Sequence, residues 1–189
     1  MIYYFGTFNP IHKGHLKIAK SVEKVYKDTV CFIPAYDSPW KPDLKENFEH
    51  RCKMITLCNG LTSNIEKFLP TPSYTYQTVQ KIYETEQQKV KMIIGYDQFF
   101  SLPKWKHPEI LQSLCEFIVI PRDIDLYGAD LNWEFKNMVR DGWDAKLLPM
   151  PLIHASSTDI RKSIKENKKV NNLEKPVFEY IEEHGLYKD

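Results

Sequence analysis

The chain has 189 residues, enough for one domain with a substantial core, and its 42% hydrophobic and 13% aromatic content is that of an ordinary globular protein. Its 26 basic and 25 acidic residues leave a formal charge of +1, which excludes bulk electrostatic attraction to nucleic acid or to a membrane surface. No stretch approaches the ~20 apolar residues of a membrane span, and the N-terminus lacks the layout of a signal peptide.

In chain order, the apolar residues 2–5 predict a first strand that belongs to the fold and is not a removable leader. The turn Gly6-Thr7-Phe8-Asn9-Pro10-Ile11-His12-Lys13-Gly14-His15 follows, then a helical pattern over 14–26 with Ile18, Val22 and Val25 at helical spacing. A strand, a tight turn and a helix N-terminus together make a phosphate site in α/β proteins. The first amides of the helix lack intrahelical partners, and the macrodipole adds roughly half a positive charge. Gly6, Thr7, Phe8 and Gly14 belong to that turn, and Gly14 has no side chain to hold an anion away from the backbone. His12 and His15 stand beside these amides. An imidazole can donate a hydrogen bond to a phosphate oxygen in its neutral or its charged form. The pattern is neither GxGxxG nor GxxxxGK[ST], so the dinucleotide-binding and P-loop readings do not apply.

Residues 29–33 predict a second strand, apolar as in a strand covered on both faces. This early alternation of strand and helix argues for a parallel α/β sheet with right-handed crossovers. The prolines of 34–42 make a loop at the strand's C-terminal end, where open α/β sheets bind ligands, and Lys41 in it offers an ammonium. Next come a predicted helix over 46–58, a short strand over 64–68, and a helix capped by Ser73 or Thr75 that runs to Glu86. Residues 89–95 predict the central strand, and Asp97 stands at its tip, a strong place for a site carboxylate. A strand over 116–122, a short helix over 133–139 and a last strand over 146–149 follow. Ser156, Ser157 and Thr158 then precede a helical run over 160–164, with Arg161 on the face of Thr158. Hydroxyls, free amides and a guanidinium make a second anion cradle with bidentate capacity. A closing helix has Pro176 near its start and Gly185 past its end.

His12-Lys-Gly-His15 resembles the (T/H)xGH motif of the nucleotidyltransferase superfamily, and Ser156-Ser-Thr-Asp-Ile-Arg161 resembles its SSTxxR motif. Pro72-Ser-Tyr-Thr-Tyr-Gln-Thr78 is similar to the PSYTxxT segment of the bacterial nicotinate-mononucleotide adenylyltransferases, and matching segments run in that family's order from Gly6 to Tyr187. Together with the alternating elements, this implies a Rossmann-like α/β fold with a parallel sheet flanked by helices, in strand order 3-2-1-4-5. The chain is then one domain over 1–189, with 151–189 as a small C-terminal helical extension carrying SSTxxR.

The resemblance implies adenylyl transfer from ATP to nicotinate mononucleotide, giving deamidated NAD and pyrophosphate. His12, His15 and Arg161 would carry catalysis. Gly6, Thr7, Phe8 and Gly14 would bind ATP with the two histidines, and Ser156, Ser157, Thr158 and Arg161 would take its β- and γ-phosphates. Lys41 would face the mononucleotide, although the turn Ser38-Pro-Trp-Lys41 departs from the family's PPH-like turn. Amides near Thr75 and the backbone N–H of Lys106 would receive the nicotinate carboxylate. Trp105 would stack on the cationic pyridinium, for which an indole face is a good platform. Asp97 would contact a ribose or the bound substrates. Arg51–Met54 matches the family's RxxM, with a surface ion pair as the plain alternative for Arg51, and Arg122 stands like the arginine of IVxxR.

Mg²⁺ is expected on the ATP phosphates, with no protein metal cage, because the sequence has no carboxylate cluster. The expected partners are ATP and the mononucleotide, with neither nucleic acid nor membrane, and a homo-oligomer is compatible with the sequence. Cys31, Cys52, Cys58 and Cys115 show no CxxC pair and are expected as reduced thiols in a cytoplasmic protein. Three alternatives share parts of the pattern: an enzyme preferring nicotinamide mononucleotide, a pantetheine-phosphate adenylyltransferase, and a nucleotide-binding sensor without turnover.

Overall fold

The computed structural model describes residues 1–37, 47–121, 129–151 and 154–188, so Trp40, Lys41 and Arg122 lie outside the described residues. Six strands form one parallel sheet: β1 (Ile2–Gly6), β2 (Val30–Pro34), β3 (Leu61–Thr62), β4 (Val90–Gly95), β5 (Cys115–Ile120) and β6 (Ala145–Leu147). Their order is β3-β2-β1-β4-β5-β6, the expected arrangement extended beyond β5 by β6. Tyr4 of β1 is in register with Phe32 of β2 on one side and Ile93 of β4 on the other. Strand order reverses between β1 and β4, so the loops leaving their C-terminal ends diverge and open a crevice there.

Eight α-helices occur among the described residues: α1 (Lys13–Tyr26), α2 (Phe48–Leu57), α3 (Thr75–Glu86), α4 (Tyr96–Ser101), α5 (Pro108–Leu114), α6 (Ala129–Arg140), α7 (Ser157–Lys165) and α8 (Lys175–Glu183). The two-residue period of the strands sorts the core onto both faces. Val30 and Phe32 join Val22, Met54, Ile160 and Ile181 from α1, α2, α7 and α8. Cys31 and Ile33 join Val79, Phe99 and Leu111 from α3, α4 and α5. All five residues of β2 are buried, which is why its sequence is apolar without alternation.

Several expectations are corrected. Residues 64–68 are not a strand. β3 stops at Thr62, the Ile65 N–H turns back to the Ser63 hydroxyl at 3.3 Å, and Ile65–Phe68 winds into a 3-10 turn. On α1 the buried side chains are Leu16, Ala19 and Val22, while Val25 is 57% exposed and Ile18 lines the crevice. Neither Ser73 nor Thr75 caps α3. Tyr74 is the N-cap, its N–H donates to Gln77 Oε1 at 2.8 Å, and Ser73 donates its hydroxyl to Glu66. The run after β4 holds two short helices that the sequence reading did not resolve, α4 and α5, joined through a 3-10 turn at Leu102–Lys104. Proline stands at the start of that turn and of α5, so apolar spacing never lasts long enough to show a helical period. Among the described residues, no helix is long and apolar enough to cross a membrane.

Candidate functional site

The crevice at the C-terminal ends of β1 and β4 has two lobes that share Tyr4, Phe5, Gly6, Ile93, Gly95 and Gln98 as a common wall. One, of about 700 Å³, is lined by Phe8, His12, Gly14 and His15 and by His154, Ser156, Ser157 and Asp159 from around the start of α7. The other, of about 900 Å³, is lined by Thr7, Glu66, Thr75, Lys104, Trp105 and Lys106 among others. We call them the histidine lobe and the tryptophan lobe.

The histidine lobe is built from the chain between β1 and α1. Gly6 is needed there because a Cβ would come within 2.7 Å of the Phe8 ring, and that ring is buried in the core. His12 is the N-cap of α1 and only 6% exposed. The two histidines cap each other: the His15 N–H donates to His12 Nδ1 at 3.4 Å, and the His12 N–H donates to His15 Nδ1 at 3.3 Å. Their rings stack with centroids 3.7 Å apart. An Nδ1 that accepts a hydrogen bond carries no proton, so this network assigns the neutral tautomer with hydrogen on Nε2 in both rings. Electrostatics agrees with it. Burial lowers the His12 pKa to about 4. His15 is held well below the usual histidine range by burial and then by the neighbouring His12. Each ring therefore presents one Nε2–H donor.

Backbone donors complete the lobe. In the first turn of α1, the Lys13 N–H goes to the Asn172 carbonyl, and the His15 N–H is taken by His12. That leaves the Gly14 N–H unpartnered among the described residues. At α7 the Ser156 hydroxyl accepts from the Asp159 N–H at 3.4 Å, leaving the first two amides, of Ser157 and Thr158, for a ligand. Lysine and arginine do not occur among the described residues lining this lobe. An anion here meets neutral donors and two helix N-termini.

The expected second cradle is only partly assembled. Ser156 and Ser157 line the histidine lobe, whereas Thr158 and Arg161 do not. The Ser157 hydroxyl donates to the Pro10 carbonyl at 2.9 Å, and Arg161 donates from Nη1 to the Asn9 carbonyl at 2.6 Å and from Nη2 to Thr158 Oγ1 at 3.3 Å. The helix carrying SSTxxR is thereby latched to the turn carrying the histidines.

In the tryptophan lobe, Thr75 is the first residue of α3. The Trp105 indole N–H donates to the Ser101 hydroxyl at 2.8 Å, which fixes the ring edge and leaves its faces for packing. Lys106 Nζ lies 4.2 Å from the centre of the Tyr74 ring, a cation–π contact beside the α3 N-terminus. Thr75, Trp105 and Lys106 are thus brought together as the sequence reading expected, and Thr7 joins them. Asp97 is not. It sits exposed in the first turn of α4, and its neighbour Gln98 lines both lobes instead. Helical phase decides which of the two faces the crevice, and that phase begins at Gly95, the N-cap of α4.

Arg51 departs from the surface ion pair weighed for it. It is 0% exposed and braces the crevice floor, donating from Nη1 to the Thr7 carbonyl at 2.8 Å and from Nη2 to the Ala35 carbonyl at 2.7 Å. Its Nε donates to Asn47 Oδ1 at 2.7 Å. Burial pulls its pKa to about 10, so the guanidinium stays charged at neutral pH. Glu66, which the sequence reading did not single out, is also buried. It accepts from the Tyr36 N–H at 3.0 Å and from the Ser73 and Thr78 hydroxyls at 3.0 and 3.1 Å, tying the exit of β2 to the start of α3. Burial raises its pKa, and those three donors oppose the rise. Among the described residues, no group of three or more His, Cys, Asp or Glu side chains could hold a metal ion. The four cysteines are free thiols, Cys31 and Cys115 buried.

Comparison with known proteins places this crevice in context. The cytidylyltransferase-like family profile matches residues 3–163. A "probable nicotinate-nucleotide adenylyltransferase" of Christiangramia forsetii is 37% identical over 98% of this chain and 96% of its own. A protein of the same description from Staphylococcus epidermidis is 34% identical over 100% of this chain and 97% of its own. Among solved structures, a nicotinic acid mononucleotide adenylyltransferase of Plasmodium falciparum, complexed with NaAD, superposes with a TM-score of 0.77. It shares 15% identity across 98% of this chain and 96% of that one, a likeness of fold.

Proposed function

The chain belongs to the cytidylyltransferase-like family and within it to the nicotinate-nucleotide adenylyltransferases, and from that membership we propose that it transfers the adenylyl group of ATP to nicotinate mononucleotide. A 5′-phosphate oxygen of the mononucleotide attacks the α-phosphorus of ATP, the bond from that phosphorus to the bridging oxygen breaks, and pyrophosphate leaves. The products are the deamidated dinucleotide and pyrophosphate. The attacking group is already an anion, so no protein nucleophile or strong base is needed. Catalysis then consists of positioning and charge stabilisation.

In this reading the histidine lobe takes ATP. His12 and His15 donate Nε2–H bonds to the α/β-phosphate region, with the Gly14 amide beside them. The Ser157 amide takes the leaving end, and Arg161 holds α7 against the turn that carries the histidines. The tryptophan lobe takes the mononucleotide, with its ring on Trp105 and its carboxylate at the amides of Thr75 and Lys106. Mg²⁺ on the triphosphate would neutralise charge on the leaving group. The lobe's amides, its neutral imidazoles and Asp159, the one carboxylate among its described lining residues, suit an ion held by phosphate and water.

The observation that carries this reading is the reciprocal capping of His12 and His15, which fixes two neutral donors at a helix N-terminus inside a crevice of nucleotide size. Its test is pyrophosphate release from ATP and Mg²⁺ with nicotinate or nicotinamide mononucleotide in parallel. A strong preference for the nicotinate substrate is expected. Equal rates, or preference for the amide, would overturn the assignment at Thr75 and Lys106. No release with either would overturn the activity itself.

A further inference from the structure

Residues 9 and 10 of the histidine-bearing turn are held by distant parts of the chain. The Asn9 carbonyl accepts from Arg161, and the Pro10 carbonyl accepts from Ser157. Asn9 Oδ1 accepts twice, from Asn47 Nδ2 at 3.4 Å and from the Tyr187 hydroxyl at 2.5 Å. Just before them Phe8 has φ 49°, a left-handed conformation that a non-glycine residue keeps only when its surroundings impose it. The turn is therefore held by tertiary clasps, and Tyr187 supplies the shortest hydrogen bond to it.

Tyr187 belongs to the segment after α8 and packs against the core cluster that contains Phe8 and Ile11. Burial raises its pKa, while Arg161 and Arg51 oppose the rise, so the phenol stays protonated and donates to Asn9. The sequence reading gave this segment a structural role only. The geometry points to more. We propose that Tyr187 is a positioning residue for adenylyl transfer: through Asn9 it fixes the turn that sets His12 and His15 against the start of α7. This rests on the assignment of the histidine lobe to ATP. A displaced turn would fall on the histidine lobe first, because the Thr75 side of the tryptophan lobe is held by Glu66, which binds the Tyr36 amide and the Ser73 and Thr78 hydroxyls and not the turn.

The test is steady-state pyrophosphate release by the wild type, Tyr187→Phe, Asn9→Ala and the double variant, each assayed at a temperature where a melting curve shows it folded. Tyr187→Phe should lower kcat by about tenfold, in line with the sensitivity of in-line transfer to small misplacements. The KM for nicotinate mononucleotide should not move. Asn9→Ala, which also takes the acceptor from Asn47, should lose at least as much, and the double variant should be no slower than Asn9→Ala, in which the Tyr187 contact is already broken. Wild-type kcat in folded Tyr187→Phe would overturn the inference and leave the proposed activity standing. So would additive losses, or a loss that falls on the mononucleotide KM. If Tyr187→Phe does not fold, the Asn9→Ala values decide by the same criteria. An inactive wild type would instead overturn the proposed activity, and this inference with it.

Discussion

The two lobes of the crevice solve anion recognition differently. The histidine lobe uses backbone: its donors are amides of α1 and α7 and two imidazoles that hold each other through main-chain bonds. The tryptophan lobe combines one helix N-terminus, at Thr75, with side chains, with Trp105 at the end of a 3-10 turn and Lys106 on a tyrosine face. Preorganised amides suit a polyphosphate whose charge shifts during reaction, because fixed dipoles need no reorganisation. A ring with one carboxylate needs shape and a local positive end, which an indole face and a helix N-terminus supply. In the proposed reading, chemistry belongs to the histidine lobe and selectivity to the tryptophan lobe.

Substitutions can break that division. Removing His15, by His15→Ala, should lower turnover by about 10³-fold or more in a folded protein, since it deletes both a donor and half of the reciprocal cap. Near-normal turnover would defeat the assignment. Arg51→Ala should damage both lobes through the fold. Taking the guanidinium from the buried Thr7 and Ala35 carbonyls should cost about 3–5 kcal/mol in denaturant unfolding, whatever substrate is present.

Acid should act on the histidine lobe first. The His12 pKa is lowered from 6.5 to about 4 in the fold, so between those values the unfolded chain binds the proton that the folded one refuses. Stability carried by this group is complete above about pH 6.5 and falls as pH drops toward about 4, by roughly 2–3 kcal/mol for His12 alone. Chemical unfolding at pH 7 and pH 4.5 would measure it, and equal midpoints would remove the neutral-histidine argument. The smallest effect belongs to the tryptophan lobe. Trp105→Ala should raise the KM for the mononucleotide about tenfold, the order of one stacking contact, with little change in the KM for ATP. A change confined to ATP would exchange the roles of the lobes.

The alternation of elements and the two anion-binding patterns were legible in the chain because they depend on local rules. A strand followed by a Gly-containing turn and a helix start can be read from neighbours in sequence, and so can hydroxyls before a helix. His12, Gly14, His15, Ser156 and Ser157 do line one lobe, and Thr75, Trp105 and Lys106 the other. The failures are those of orientation and of long-range partnership. On the short helix α4 it is Gln98, beside the expected Asp97, that lines both lobes, and the phase of such a helix is set where it leaves the sheet. Glu66 lies in a segment expected as a strand, and its partners are three side-chain or backbone donors gathered from different elements.

By itself, then, the sequence determined the parallel α/β architecture and the residue types able to hold an anion, while the place of β1 beside β4 came from the family resemblance. Periodicity and turn chemistry are properties of a few adjacent residues. Tertiary structure alone decided that Arg51 is a buried brace, that Arg161 and Ser157 latch one anion-binding helix to the other turn, and that Tyr187 reaches Asn9. Such bonds join groups far apart in the chain, and a donor there is chosen by which carbonyl the packed core leaves within reach.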